Sequence, residues 1–318
     1  MDRIFKRVLV PSDFKGSRLD KAAATLFPDF SRSRLKVWIE SGALTLGGMK
    51  AEPKARLGGG EELVLDAQLD SVIPVEGEDI PLAVVHEDKS ILVIDKPSGL
   101  VVHPGAGNPS GTLQNALLNL DASLSALPRA GIVHRLDKDT SGLLLIARTM
   151  GVRNRLVAEL ERREIQRRYE GVCQGVATGG GKVEAPIGRH PKDRLKMAVL
   201  TGGRPALTHY RVIEKFRAHT HLSLTLNTGR THQIRVHLAH IRMPLVGDPV
   251  YGGRPRFPPR PGDEIRRFLQ EFPRQALHAI RLAFHHPEDG KLVSYRSPLP
   301  DDMRMLLEIL RKDANAGD

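Results

Sequence analysis

The sequence predicts an α+β protein organised on a mostly antiparallel sheet, with a small basic module ahead of it. Segments with the composition of strands outnumber helical ones and do not alternate with them regularly, unlike the chains of βαβ folds. An unbroken apolar run, Leu143–Ala147, has the length of a buried strand, and Thr220–Leu226 alternates polar and apolar residues as a half-buried strand does. The charge also changes sign along the chain. Residues 1–60 carry 12 Lys and Arg against 6 Asp and Glu, whereas residues 61–88 carry nine acidic side chains and no Lys or Arg.

A chain of 318 residues has room for one large domain and one small one. Its 48 Lys and Arg against 37 Asp and Glu give a formal charge of +11, which suggests a polyanionic partner. Nucleic acid stands ahead of membrane, because no apolar run approaches membrane-spanning length. The start, MDRIFKRVLVPSDFKG, lacks the apolar core and small-residue cleavage site of a signal peptide. A single cysteine, Cys173, excludes an intramolecular disulfide framework and a cysteine-rich zinc site. These features fit a reducing cytoplasm.

In the basic module Leu19, Ala22, Ala23 and Leu26 form the apolar stripe of a short helix ending near Pro28. Ser31 is placed to cap a second helix, with Leu35, Trp38 and Ile39 on one face and its end at Gly42. Short strands follow at Ala43–Leu46 and Glu62–Leu65, and Arg32, Arg34 and Lys36 crowd the start of the second helix. The pattern RLD…SRSRLKVWIESGALTLGG resembles an S4 RNA-binding domain, with Gly47 where that family usually carries Asn. The resemblance implies that this module, residues 1–75, grips structured RNA through Arg32, Arg34 and Lys36. The acidic stretch with Pro74 and Pro81 reads as a linker over about residues 70–81, and a second domain as spanning 82–318.

That second domain opens with expected strands at Leu82–Val85, Ile91–Asp95 and Leu100–His103. The Gly-rich HPGAGNPSGT has no Gly-Lys-Ser/Thr ending, so it is not a nucleotide P-loop. Leu113, Ala116, Leu117 and Leu120 predict a helix, as do Leu156, Val157 and Leu160, whose other face carries Arg153, Arg155, Arg162 and Arg163. A strand is expected from Tyr169, a helix from about Thr231, and a final strand pair before a helix over Asp302–Arg311. His232, His237 and His240 share one expected helix, but their spacing does not repeat the i, i+4 pair of helical zinc sites, so no metal is assigned.

Between these elements lies PRAGIVHRLDKDTSGLLLIAR (Pro128–Arg148), a polar turn with His134, Arg135 and Asp137 fastened to the apolar run. A strand fixes the backbone while a turn exposes a side chain, which suits a catalytic group. GIVHRLDKDTSGLLL resembles the signature of the RluA-type pseudouridine synthases, and TGRTHQIRVHLAHI and GDPVYGGRPR extend the resemblance from about Gly16 to Arg311. It implies the pseudouridine synthase fold, a long mixed, mainly antiparallel sheet with a central cleft, and isomerisation of uridine to pseudouridine in RNA. No redox change or net atom transfer occurs in that reaction, so no cofactor is expected.

On the same resemblance Asp137 is the catalytic aspartate and Arg230 the arginine paired with it. Tyr169 would stack on the base, Ile234 would pack against its other side, and Arg135 would fill the gap left by the flipped nucleotide or contact phosphate. His134 would shape the turn. A carboxylate can trap electron-poor C1′, add to the base, or assist removal of the C2′ proton, and the sequence does not choose among these. The implied partner is 23S ribosomal RNA, at the stem-loop called helix 69, with no membrane involved. Two other readings are a paralogue acting on other 23S or tRNA uridines, and a non-catalytic RNA-binding assembly factor.

Overall fold

The computed structural model describes residues 3–30, 32–68, 75–105, 107–193 and 195–316. The chain divides into two compact units, Met1–Pro74 and Val75–Asp318. Ser31, expected to cap the second helix, and residues 69–74 of the expected linker lie outside the described residues.

In the first unit β1 (Arg3–Leu9), α1 (Leu19–Leu26), α2 (Arg32–Ser41), β2 (Leu44–Leu46) and β3 (Glu62–Gln68) follow in order. The sheet runs β1-β3-β2, antiparallel throughout. Leu19, Ala22 and Ala23 of α1 and Leu35, Trp38 and Ile39 of α2 bury against Leu44, Leu63 and Leu65, so the two helical stripes close over one sheet face. Sequence reading missed β1. Most of its side chains are exposed, so it shows no apolar alternation, and its pairing with β3 from Arg3↔Gln68 to Leu9↔Glu62 defines it.

The second unit contains β4 (Ala83–Glu87), β5 (Ile91–Lys96), α3 (Leu113–Leu120), β6 (Ser141–Ala147), α4 (Met150–Arg162) and β7 (Gln166–Gln174). There follow β8 (Gly181–Glu184), β9 (Ile187–Arg189), β10 (Met197–Val199), β11 (Leu207–Lys215), β12 (His219–Leu226) and α5 (Gln233–His240). The chain ends with α6 (Asp263–Glu271), β13 (Leu277–His285), β14 (Leu292–Arg296) and α7 (Asp301–Ala316). A nine-stranded sheet runs β4-β5-β6-β13-β7-β12-β11-β8, with β14 on β13, and β9 and β10 form a separate ribbon. Among the described residues every pairing is antiparallel except β6 with β13, which meet through only two residue pairs, Ser141↔His278 and Gly142↔Ala279.

The central strands are covered on both faces. Leu92, Ile94, Leu144 and Ile146 pack with Leu113 and Leu117 of α3, while Ile91, Val93, Leu143 and Leu145 pack with Leu156 of α4. Burial on both faces explains why β6 reads as a continuous apolar run, and each such Leu or Ile stabilises the fold by about 1.5–3 kcal/mol. Thr112 starts α3 with a capping box, its backbone N–H donating to Asn115 Oδ1 at 3.1 Å.

Several expectations change. Leu100–His103 is no strand, because Val101 makes only an isolated bridge to Thr112. Residues 76–80 of the expected linker are fastened to the second unit: Asn115 Nδ2 donates to the Glu76 carbonyl at 2.9 Å, and the Glu78 N–H donates to the Asn115 carbonyl at 3.1 Å. β7 begins at Gln166 rather than Tyr169, and α5 at Gln233 rather than Thr231. β12 is buried through its first six residues instead of half-buried, since its polar side chains also face packed elements, as His221 faces Glu170 at 3.0 Å.

Candidate active site

The turn carrying His134, Arg135 and Asp137 is fixed at both ends by glycine. Gly131 has φ +76° and Gly142 φ +112°; a Cβ would lie 1.9 Å from the Ala147 carbonyl oxygen at the first and 2.4 Å from that of Ala279 at the second. His134 is half-buried and its Nε2 accepts the Leu145 N–H at 3.1 Å, tying the turn to β6. Burial, with the charge of Arg167, pushes the His134 imidazole down to about 3, so it stays neutral as that acceptor requires.

The rest of the turn hangs from buried cations. Lys96, fully buried at the end of β5, donates Nζ to the carbonyls of Lys138 at 2.8 Å, Pro97 at 2.7 Å and Leu100 at 2.9 Å. Arg274 Nη1 donates to the Asp139 carbonyl at 3.1 Å, and Gln275 Nε2 to Thr140 Oγ1 at 3.1 Å. The residues that follow Asp137 are therefore held by side chains from β5 and the segment before β13.

Asp137 meets a guanidinium, but that of Arg235 rather than Arg230. Arg235 Nη1 lies 3.1 Å from Asp137 Oδ2. Its Nε and Nη2 engage both oxygens of Asp248 at 2.7 and 2.8 Å, and its guanidinium lies 5.0 Å from the Tyr251 ring centroid. Asp248 Oδ1 also accepts the Val250 and Tyr251 N–H groups. Burial works against both charges. The carboxylates nonetheless raise the Arg235 pKa, and the Asp248 pKa falls because of Arg235.

Arg230 lines the same cavity with different partners. Its Nε donates to the Pro205 carbonyl at 3.2 Å, and its pKa is lowered by burial and by the neighbouring cations Arg204 and Arg163. It precedes α5 in a loop, whereas Arg235 lies within the helix between buried Ile234 and Val236. A guanidinium in such an apolar run needs an acid, which was the available signal for Arg235. Asp248, thirteen residues downstream, was missed with it, as were His232 and Tyr251. His232 Nδ1 lies 2.8 Å from Tyr251 Oη and its Nε2 3.9 Å from Asp137 Oδ1.

The cavity, about 750 Å³, is lined by Asp137, Arg235, Tyr169, Ile234, His134 and Arg135 together. Tyr169 and Ile234 are each 4% exposed. Burial raises the Tyr169 pKa, with Asp137 adding to the rise against Arg167, so the ring enters the cavity as a neutral phenol. Arg129, Arg163, Arg204 and Arg230 join Arg135 in the lining. An acid beside an aromatic and an aliphatic surface, ringed by arginines, can take a flat base with its ribose and phosphate.

Of the first unit's basic residues, Arg32 Nη2 contacts buried Asp20 at 2.6 Å, an acid that Arg18 also holds at 2.9 Å. Lys36 pairs with Glu40 at 3.4 Å, and Arg34 lies 5.7 Å from the Trp38 ring centroid. The three α5-region histidines form no group: His237 bonds Thr208 and the Ala185 carbonyl, each at 2.9 Å, apart from the His232–Tyr251 contact. His86, Asp88 and His286 bring three donor atoms within 4.8 Å of one another, but none of them lines the cavity. No helix among the described residues is long and apolar enough to cross a membrane.

Residues 90–240, which include β5, the Asp137 turn, Tyr169 and Arg235, match the family model described as RNA pseudouridylate synthase. The chain is 52% identical over 315 residues to the ribosomal large subunit pseudouridine synthase D of Pseudomonas aeruginosa, covering 99% of this chain and 98% of that protein. It is 52% identical over 299 residues to the protein of the same name from Escherichia coli K12, covering 94% and 92%. Among solved structures, human RNA pseudouridylate synthase domain containing 4 superposes with a TM-score of 0.57 at 25% identity, covering 72% of this chain and 93% of that one. Similarity across almost the whole length, on this sheet and this cleft, leaves one assignment: the chain belongs to the RluA-type RNA pseudouridine synthases.

Proposed function

We propose that the protein converts uridines of 23S ribosomal RNA to pseudouridine in the helix 69 stem-loop of the large subunit, in the cytoplasm, with Asp137 as the catalytic residue. The observation that carries the catalytic part is the ion pair of Asp137 with Arg235 inside a cavity lined by Tyr169 and Ile234. The substrate part is supported by near full-length similarity to proteins named ribosomal large subunit pseudouridine synthase D (RluD) and by the resemblance of the Asp137 and TGRTHQIR strings.

The reaction breaks the N1–C1′ bond, turns the base, joins C5 to C1′ and moves the C5 proton. Asp137 acts on C1′, on the base or on the C2′ proton, and each route needs the carboxylate aimed at the nucleotide. Arg235 supplies the aim, and Asp248 fixes Arg235 through two bonds. Tyr169 stacks on the extruded base and Ile234 closes its other side. Arg135 and Arg230 face phosphate, and His134 holds the turn. The first unit is an S4-like module that adds affinity for structured RNA, with Arg34 and Lys36 contacting phosphate and Arg32 shared with Asp20.

The test is a pseudouridine map of ribosomal RNA from a deletion strain, complemented with wild type or with Asp137→Ala. Helix 69 pseudouridines are expected to vanish, to return with wild type and to stay absent with the variant, while the purified variant still binds the RNA. Helix 69 sites that remain modified in the deletion strain overturn the substrate. Turnover by Asp137→Ala overturns the catalytic assignment.

A further inference from the structure

Behind the cleft the same sheet carries a second cationic surface. Successive side chains of a strand point to opposite faces, so Tyr169 on the cleft side puts Arg168 on the reverse side. Strand register carries that face across the sheet. Arg296 of β14 pairs with Arg281 of β13, Arg281 with Arg168 of β7, and Arg168 with Thr225 of β12. Thr225 pairs in turn with His209 of β11, and His209 with Lys182 of β8. Directly paired residues share a face, so six strands build one transverse row in which every side chain but Thr225 is a cation or an imidazole. At about 4.8 Å between strands the row is roughly 24 Å long. A groove of about 710 Å³ follows much of it, with Arg211 beside the row.

The charges are aimed without being neutralised. Arg168 Nε donates to Ser223 Oγ at 2.7 Å and Arg281 Nε to Ser294 Oγ at 2.8 Å. Among the described residues Arg168, Arg211, Arg281 and Arg296 make no ion pair, although Arg162 pairs with Glu164 and Arg311 with Glu214 on other surfaces. In the row only Lys182 has an acid, Glu184 at 2.9 Å. Like charges directly opposite across strands repel, and Arg281, Arg168 and Arg296 are so placed. A line of cations fits a polymer of regularly spaced anions better than a single phosphate.

We propose that this reverse face binds the phosphate backbone of a second segment of the RNA whose uridine enters the cleft. The inference rests on the chain being an RNA enzyme and not on which uridine it modifies. A large RNA folds around the catalytic unit, one segment presenting the target base and another lying along the Arg281–Lys182 row.

The test uses the full chain carrying Arg168→Gln, Arg211→Gln and Arg281→Gln, positions outside the catalytic cavity, with thermal melting to show that the fold is kept. Binding and turnover are measured on a long 23S RNA fragment and on a short stem-loop that fills only the cleft. With the long RNA, the slope of log Kobs against log salt is expected to become shallower by about 2 to 3, three charges at about 0.7–0.9 each. kcat/KM on that RNA is expected to fall at least tenfold near physiological salt, while kcat at saturation and all values on the stem-loop stay unchanged. Unchanged slopes on the long RNA overturn the proposal, as do equal losses on both RNAs, which would put these arginines at the cleft. If the wild type makes no pseudouridine in either RNA, the substrate reading fails and the salt slopes still decide this one.

Discussion

Arg235 donates Nη1 to the Asp137 carboxylate at 3.1 Å while its Nε and Nη2 hold Asp248 at 2.7 and 2.8 Å. One guanidinium thus links the acid of the turn to the acid of the GDPVY loop. The planar fork matters, because an ammonium cannot meet both carboxylates in this geometry. Arg235→Lys is expected to lower single-turnover pseudouridine formation by at least a hundredfold. Arg235→Met, which strips Asp248 of its partner, is expected to cost about 3–5 kcal/mol of stability in urea unfolding. A lysine variant with wild-type turnover would show that charge alone suffices.

Arg230, among Arg204 and Arg163, is expected to behave as a phosphate contact. Arg230→Gln should weaken RNA binding, lower the salt slope by roughly 0.7–0.9, and leave kcat within about tenfold of wild type. The contrast with Arg235 separates the two arginines of TGRTHQIR in a single titration series. A kcat loss as large as that of Arg235→Lys would return Arg230 to the catalytic role.

Lys96 bonds three carbonyls, among them that of Lys138 beside Asp137. Lys96→Met keeps much of the volume and leaves those acceptors without their donor. The expected result is a loss of about 3 kcal/mol or more in urea unfolding, with kcat reduced more than KM is raised. Equal stability of variant and wild type would show that the carbonyls find other donors.

Acid should destabilise the protein through histidines that the fold keeps neutral. His134 stays neutral until about pH 3 and His103 and His219 until about pH 4, all by burial first. In the unfolded chain each takes up a proton below about pH 6.5. Unfolding therefore binds protons between about pH 6.5 and 4, and stability falls as pH falls through that window, by up to about 1.4 kcal/mol per pH unit for each histidine. Urea midpoints from pH 7 to 4.5 measure the slope, and His134→Gln should reduce it by about one proton.

Removal of residues 1–74 should weaken binding to structured RNA and flatten its salt dependence, because fewer phosphates are neutralised. Filter binding across a salt series reads both quantities. Identical curves for the two proteins would identify the basic helices as a solvated surface.

Sequence patterns disclosed the elements whose environment is uniform along their length. β6 is apolar because both its faces are covered, and α3 carries its apolar stripe locally. They failed where the deciding partner is distant in sequence. The family resemblance pairs Arg230 with the acid, yet Arg235 reaches Asp137 because α5 turns it inward and Asp248 holds it. β1 has no apolar alternation to display, and β12 hides polar side chains under neighbouring elements, so periodicity said too little about one and misjudged the burial of the other.

The two-pair junction of β6 with β13 has a mechanical consequence. Strands β4, β5 and β6 carry the Asp137 side of the pocket, while β7, β12 and α5 carry its aromatic wall and its guanidinium, and the sheet is thinly sewn between them. The Asp137–Arg235 contact bridges that seam from above. A shear that opens the seam must stretch this contact, so the spacing of the reacting groups is tied to the stiffness of the sheet itself.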